Sequence, residues 1–577
     1  MWWCQAADRF NKFISLSSCV ADTQIPVERQ ETHRVTRTTW KVSRSMRKIA
    51  IVTFLALLCS VSTVQAQLSQ NLSVGNPVAL SLGNSITARP PGTDAIHYNP
   101  AGLALLKNEF KQYKLQTAFF RYKGSVSGQS PGVPFVPSDQ PEHRQDPLLA
   151  GEKSRPVEVE SVSVFLPFFD HVQLPFLLAP GYGFAFRIKD RNVVFANSAL
   201  TLQAFGYARD KDNVGAFNGQ QFGITRIAYF NPTIALNLSD DLLIGGSIGF
   251  SWQGLGIRNR TRTVLHSLGE IDALLNTLDP DGTLGLDLSP YTDVGTLEIE
   301  VQDPLSMAFT LGMLWQPVPW FSWGLTYQSP GKAGMRGDFR ITYTDDFNST
   351  MLKLQPAQDL LALIDGGPIS GDKEQSGSVE LEYTHPQWLA TGVSLLLTPK
   401  VRINVDVKWI DYSVTDQLEF QFDRDLDYLS LSSAVNKLFR ANVGGDYSDP
   451  DVLRLPRDFQ DVTDWSVGIE YYYNNVLTLR AGYEPRSSVI PDNRQDLLIP
   501  IGNADLYGLG VGYRFDAHSQ LDVALGYLVT EIDIKPGESR NATSTIEGDS
   551  VYNPFRGMHV EHKLEAYIFT LAYSKYF

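Results

Sequence analysis

The residues that could do chemistry are few in this sequence, and their spacing matches no common catalytic or metal-binding pattern. All three cysteines lie within the first 59 residues, which excludes thiolate nucleophiles and thiolate metal sites from the rest of the chain. Eight histidines follow residue 66, and none lies in a recognisable nucleophile motif. His559 and His562 flank Val560-Glu561 with no third ligand in view, which favours a solvated face over a metal site. We therefore predict no catalytic residue, no metal site and no cofactor.

A cluster of cations offers a binding chemistry instead. Arg258, Arg260 and Arg262 follow a predicted strand at Ile244–Trp252. A guanidinium group binds a carboxylate through two parallel hydrogen bonds, so these arginines are candidate ligands of an acidic head group. The alternative is a basic patch outside the cell that binds lipopolysaccharide phosphates.

Apolar side chains downstream of the arginines offer a surface for a hydrophobic ligand. In residues 266–278 they recur at i, i+3, i+4 and i+7, which predicts an amphipathic helix. Leu274 and Leu275 of this helix are candidate contacts in an external landing groove, and a second apolar stretch at 351–366 could face it. The alternative is that the helix packs its apolar face against the protein itself.

The first 66 residues predict export. Residues 46–66 combine a basic start, an apolar core and small residues before Gln67, which is the pattern of a cleaved signal peptide. Residues 1–45 lie upstream of this signal and its own Met46, and we interpret them as a non-native extension. The remaining chain has 40 basic and 59 acidic residues, a net charge of −19. This charge argues against a nucleic-acid partner.

The elements that must position these residues are predicted to be strands that cross a membrane. After residue 66 no apolar run approaches the ~20 residues of a spanning helix. Short segments instead alternate between an apolar face and a polar or small face, as in 401–409, 465–471, 507–515 and 521–527. The apolar faces end in aromatic residues, and short turns alternate with long polar segments such as 255–304, 329–387 and 412–463, which is typical of outer-membrane barrels. We predict an all-β fold, a transmembrane antiparallel β-barrel of about 14 strands at 111–577, with residues 199–206 the uncertain strand.

The stretch before the first strand does not fit a barrel wall. Residues 67–110 contain Pro90, Pro91 and Pro100, which cannot belong to an ordinary strand, among small and apolar residues. Placed before strand one, this stretch could fold into the lumen as a hatch, or plug. Within it Pro100 stiffens the turn, Ala101 and Gly102 permit close approach, and Asn99 can bond exposed main-chain groups.

The sequence resembles the FadL-type long-chain fatty-acid transporters of Gram-negative outer membranes, which include the TodX-like aromatic-hydrocarbon channels. The resemblance rests on segments that follow one another in family order: Asp94-Ala95 with Asn99–Ala104, then 224–257, 307–330, 465–500 and 507–515. It implies a fourteen-stranded barrel with an N-terminal hatch. It also implies passive transfer of the ligand from an external groove to a lumenal site, with release sideways at a gate formed by Asn99, Pro100, Ala101 and Gly102.

The predicted function is therefore passive uptake of long-chain fatty acids or related hydrophobic compounds across the outer membrane, without catalysis. Expected partners are the hydrophobic ligand, outer-membrane lipid and lipopolysaccharide, and the barrel assembly machinery, with the chain a monomer. The alternatives are an aromatic-hydrocarbon channel of the same fold, an outer-membrane lipid hydrolase, or a barrel that serves as an adhesion surface.

Overall fold

The computed structural model describes residues 74–107, 109–128, 148–149, 152–188, 191–262, 293–358, 367–439, 449–545 and 553–577. The predicted signal peptide and the helix predicted at 266–278 lie outside the described residues.

Strands dominate the described chain. Their bounds are β1 Phe110–Ser127, β2 Ser154–Val157, β3 Val162–Leu166, β4 Asp170–Leu174, β5 Leu177–Arg187, β6 Val193–Ala208, β7 Gln221–Phe230, β8 Thr233–Asn237, β9 Leu242–Arg262, β10 Asp293–Val318, β11 Phe321–Gln328, β12 Gly331–Tyr343, β13 Glu374–His385, β14 Trp388–Thr398, β15 Val401–Ile410, β16 Gln417–Phe422, β17 Val452–Pro456, β18 Val462–Tyr472, β19 Leu477–Arg486, β20 Ala504–Arg514, β21 Ser519–Ile534 and β22 His559–Tyr576. Five consecutive pairs, from β7 with β8 to β17 with β18, each make up one wall strand in two parts. β2 and β5 both pair with β1 and make up one more wall strand, while β3 with β4 forms a separate hairpin. Within the described residues the wall is thus a closed antiparallel barrel of fourteen strands.

The barrel closes because its first and last strands pair along their whole length. β1 and β22 run antiparallel from Phe110 opposite Tyr576 to Ser127 opposite His559. Along each wall strand burial alternates, so that Leu509 and Leu525 stay exposed on the outside while their neighbours are covered from within. Exposed apolar side chains on the outer face are what lipid solvates, which confirms the alternation predicted from the sequence.

Helices are short, and none of those described is part of the wall. In the described residues they are α1 Pro77–Ser81, α2 Ala95–Tyr98, α3 Asp345–Leu354 and α4 Asp427–Phe439. The first two belong to the N-terminal segment, and the others follow strands at the external end. None of the described helices is long and apolar enough to cross a membrane.

The structure extends strands into segments that the sequence predicted as long loops. β9 runs to Arg262 and β10 begins at Asp293, so much of 255–304 is paired strand. Strands β12 and β13, and then β16 and β17, likewise extend through 329–387 and 412–463. Their inner faces share one apolar cluster that includes Ile299, Ile341 and Phe420. Burial of this cluster favours paired strands over solvated loops. The uncertain strand at 199–206 lies within β6.

Candidate functional site

The N-terminal segment 74–106 is built from short helical turns that side chains cap. Asn76 accepts hydrogen bonds from the main-chain N–H groups of Val78 and Ala79, and Pro77 occupies the first helical position of α1. Helix α2 ends at Tyr98, and Asn99 then caps a 3₁₀ turn over Pro100–Leu105. The segment therefore has a defined fold although it contains no strand.

Asn99 fastens the predicted gate to both the segment and the wall. Its Nδ2 donates to the carbonyl oxygens of Thr87, at 2.8 Å, and Met313, at 3.0 Å. Its Oδ1 accepts from the N–H of Ala101 at 3.2 Å. The predicted use of Asn99 as a partner for main-chain groups is thereby confirmed. The gating role of residues 99–102 stays a prediction.

Glycines on the inner face of the wall make room for the segment. Gly245 and Gly312 lie directly opposite each other on β9 and β10, and a Cβ added to either would collide with Pro100. A second row of glycines in register crosses four strands beneath residues 80–83: Gly468, Gly482, Gly508 and Gly526. At Gly508 the fit is tightest, because an added Cβ would overlap the carbonyl oxygen of Leu80.

Buried charges hold the segment from two sides. The Lys114 ammonium of β1 lies 2.6 Å from Asp94 Oδ1, and both side chains are almost fully buried. Asn76 donates to the other oxygen of Asp94 at 2.7 Å. On the opposite side, Asp406 Oδ2 accepts from the N–H groups of Ile86 and Thr87 at 2.8 and 2.7 Å.

A cavity of about 390 Å³ lies beside this segment. Ile96, Leu200 and Leu202 supply apolar wall, and His97 and Arg226 supply its titratable groups. Burial first, and then the charge of Lys408, lowers the pKa of His97 to about 3, so this imidazole is neutral at physiological pH. Arg226 is therefore the cation among the lining residues.

The Arg226 guanidinium has the surroundings of an anion receptor. Its side chain is buried, and its Nε donates to Ser251 Oγ at 3.0 Å. Within the part of the chain that the structure describes, no carboxylate lies within ion-pair distance of Arg226. A guanidinium group that is buried without an anion gains from one that enters the cavity.

A second, more apolar cavity of about 540 Å³ lies at the external end of the barrel. It is lined by the strand extensions and by α4, with side chains that include Ile299, Ile341, Phe420, Leu429 and Leu455. The sequence predicted an external apolar groove, but from different residues. Its candidates Leu274 and Leu275 lie outside the described residues.

The three predicted arginines already have partners. Arg258 pairs with Glu298 at 2.9 Å, and Arg260 pairs with Asp293. Arg262 donates to the carbonyl oxygen of Pro554. Their contact with a ligand stays a prediction, since a ligand carboxylate would have to compete with these bonds.

Sequence reasoning missed Arg226 and helix α4. Arg226 lies on the lumenal face of the alternating segment 222–228. A charged residue within such a segment is the sequence signal that could have identified Arg226 as a candidate site residue. Helix α4 buries Leu429 and Ala434, and Leu426 is buried directly before its first residue. Among the described residues no group of three His, Cys, Asp or Glu is placed to hold a metal ion.

Comparisons with known proteins agree with this geometry. A family model described as outer membrane protein transport protein (OMPP1/FadL/TodX) matches residues 55–577. The long-chain fatty acid transport protein of Escherichia coli O6:H1 is 21% identical over 305 residues, which are 51% of this chain and 58% of that relative. The protein of the same name from Escherichia coli K12 is 23% identical over 207 residues, 36% of this chain and 38% of the relative. The matched regions thus span 58% and 38% of the lengths of these two curated relatives.

Solved structures show the same fold. A Pseudomonas aeruginosa FadL homologue superposes with a TM-score of 0.61 at 14% identity, covering 89% of this chain and 100% of the other. The Ralstonia pickettii toluene transporter TbuX gives a TM-score of 0.53 at 15% identity over 88% of this chain and 99% of the other.

Proposed function

We infer that this chain, which belongs to the outer membrane protein transport protein family (OMPP1/FadL/TodX) and is an outer-membrane β-barrel, passively carries long-chain fatty acids across the outer membrane. Relatives named for long-chain fatty acids and for toluene both occur among the similar proteins. The choice between these two ligand classes depends on whether the ligand has a charged head group. The proposal has no catalytic step.

The buried cation Arg226 is the observation that carries this choice. An aromatic hydrocarbon offers a buried guanidinium group only a cation–π contact, whereas a carboxylate neutralises its charge and accepts charge-assisted hydrogen bonds from it. The same cavity offers apolar contacts to the first CH₂ groups of an acyl chain, from Leu200, Leu202 and Ile96. Each buried CH₂ group contributes about 0.8 kcal/mol, so a chain of apolar sites can guide such a ligand without energy input.

The proposed route begins in the external apolar cavity and continues to the Arg226 cavity. The segment 67–110 is the hatch in this proposal, and residues 99–102 form its gate. Release is sideways into the membrane. The channel works as a monomer that the barrel assembly machinery inserts, with lipopolysaccharide around its outer rim.

Binding of oleate and of methyl oleate to the purified protein tests the proposal. The two ligands share an acyl chain and differ in the carboxylate. Arg226→Met should weaken oleate binding roughly 10- to 150-fold, the equivalent of one charged hydrogen-bonding group, and leave methyl oleate unchanged. Arg226→Lys should retain part of the preference, because it keeps the charge and loses the planar fork.

Arg258→Met is the matched control, since it removes an arginine that already pairs with Glu298. Selective loss of oleate binding in this variant would support the arginine cluster predicted from the sequence and count against Arg226. Binding of toluene without binding of oleate by the unmodified protein would refute the fatty-acid assignment and favour the aromatic-hydrocarbon alternative. A steady release of oleate from phospholipid would support the hydrolase alternative.

A further inference from the structure

One part of the barrel wall lacks a continuous strand ladder. β5 pairs with one edge of β6 only from Arg187 opposite Val194 to Tyr182 opposite Ala199, whereas the other edge of β6 is paired with β8 and then with β7 as far as Ala208. On its β5 side, β1 is paired as far as Ala118, and it is next paired by β2 at Gly124. The described chain thus leaves residues 119–123 of β1 and the second half of β6 without strand-to-strand bonds across this side.

The β3–β4 hairpin covers the outer face of the strands beside this gap. Gly206, Gly223 and Gly256 lie opposite one another on β6, β7 and β9. A Cβ at Gly206 would collide with the Ser163 carbonyl oxygen, and one at Gly256 would overlap the His171 ring. On β9, Gly256 lies on the same face as Ile248, which is 52% exposed on the outside of the barrel.

Aromatic stacking and a few polar bonds hold the hairpin on this face. The ring of Phe165 stacks on Trp252 with a centroid distance of 6.2 Å and an interplanar angle of 1°. Gln221 Nε2 donates to Ser163 Oγ at 2.9 Å, and Ser161 exchanges main-chain bonds with Ala208. These attachments are fewer than those of a wall strand, which is bonded along its length on both sides.

The opposite face of the hairpin reaches the lumen. Val162 and Val164 belong to an apolar cluster with Ala118 and Ala566. Ala118 shares the inward face of β1 with Lys114, which binds the N-terminal segment. The hairpin can touch the outside of β9 and the inside of β1 because it fills the space between β1 and β6.

A cavity of about 500 Å³ lies behind the hairpin. Its lining joins Phe120 and Tyr122 of β1 to Phe205 of β6, with Val162 and Pro175 from the hairpin and its exit. The hairpin tip carries Phe168 and Phe169, which are 96% and 72% exposed. Two exposed phenylalanines at the tip are compatible with a lipid environment and unfavourable in water.

We propose that the β3–β4 hairpin is a lateral gate, and that the cavity behind it is the last apolar binding site before the ligand enters the membrane. This inference rests on the proposed function, because it presumes an apolar ligand that leaves sideways. Displacing the hairpin breaks few hydrogen bonds and leaves the ladders of β1 and β6 intact. It joins the cavity to the surrounding lipid through the gap between those strands.

A disulfide that fastens the hairpin to the wall tests the gate. A Cβ added at Gly254 would fall on Cδ1 of Phe165, two bonds from that residue's own Cβ, so Phe165→Cys with Gly254→Cys brings two thiols within bridging range. Residues 67–577 contain no other cysteine. The control pair Val164→Cys with Val172→Cys joins β3 to β4 without tying either strand to the barrel.

Uptake of labelled oleate is measured in Gram-negative cells that lack their own fatty-acid channel. We expect the oxidised 165–254 bridge to reduce uptake at least tenfold, the reductant to restore it, and the control bridge to leave it unchanged. Equal uptake by bridged and reduced protein would overturn the gate and leave the channel function standing. Failure of the two thiols to bridge under oxidant would also count against the proposed packing.

Hydrogen exchange of the hairpin provides a readout that does not depend on transport. A gate must open more readily than the wall, so amides of residues 162–174 should exchange at least 100-fold faster than those of β22. Protection equal to that of β22 would refute the gate even if the unmodified chain carries oleate. Fast hairpin exchange in a chain that carries no oleate would support the gate and refute the proposed ligand.

Discussion

Removing the Lys114 ammonium should release the N-terminal segment from the barrel while the barrel itself stays folded. Lys114→Met leaves the Asp94 carboxylate buried with the Asn76 amide as its remaining side-chain partner among the described residues, and removes the bond to the carbonyl oxygen of Val74. Breaking a buried ion pair on one side costs about 3–5 kcal/mol, because an uncompensated charge remains in a dry site. The local opening free energy of the segment should fall by that amount.

Hydrogen exchange read by mass spectrometry measures this fall directly. A loss of 3–5 kcal/mol corresponds to an exchange rate that is roughly 10²–10⁴-fold faster for amides within residues 76–106. The amides of β22 serve as an internal reference and should not change. The double variant Asp94→Asn with Lys114→Met should regain most of the protection, since it removes both charges together.

Lys111→Met is the matched control for this prediction. Lys111 lies on the same strand and pairs with Glu109 at 3.0 Å, but both side chains are substantially exposed. An exposed pair is screened by water, so its loss should leave the exchange of the segment unchanged. If Lys114→Met changes the segment no more than Lys111→Met does, the buried pair does not hold the segment, and the reasoning fails.

Two further predictions concern the inner glycines and the external loops. Gly508→Ala should destabilise the protein by about 1–3 kcal/mol, because the added Cβ meets the Leu80 carbonyl oxygen. Gly334→Ala is the control, since its Cβ meets no atom within 4 Å, and a lower unfolding temperature of Gly334→Ala would contradict this account. The main-chain N–H of Ser378 holds the pKa of Asp423 below its ordinary value of 3.8, so the link between them is present above that pH and is lost as the pH falls through the lowered pKa. Asp423→Asn should abolish this pH dependence in the exchange of the Ser378 amide, and an unchanged pH profile in the variant would exclude Asp423 as its source.

The outer face of the barrel could be predicted from the sequence because lipid imposes a local rule. Every second residue of a wall strand meets hydrocarbon, so the alternation at 507–515 predicts a strand without knowledge of the strands that pair with it. The turn at Asn99-Pro100 is also local, because the cap and the rigid ring act within a few residues.

The ligand-binding side could not be predicted in the same way, because distant segments create it. Arg226 matters because the N-terminal segment buries it beside Leu200, and no local pattern carries that information. The hairpin at 162–174 lies in a long connection, and its place depends on the register of three strands between residues 206 and 256. The strand extensions that line the external cavity gain their stability from an apolar cluster shared across many strands.

Glycines in register on neighbouring strands explain how the barrel wall packs against two separate segments, the N-terminal segment inside and the β3–β4 hairpin outside. Inside, the row that ends at Gly526 receives the main chain of residues 80–83, and outside, the row from Gly206 to Gly256 receives the hairpin. A row without side chains lets a second layer lie directly on the strand backbone. The contact is close, but few hydrogen bonds cross it in the hairpin. The inner insert adds buried charges at Asp94 and Asp406, whereas the outer insert has aromatic stacking, polar bonds through Ser163 and main-chain bonds at Ser161. Register-matched glycines therefore support both an inner segment held by buried charges and an outer hairpin held by fewer polar bonds, as the proposed gate requires.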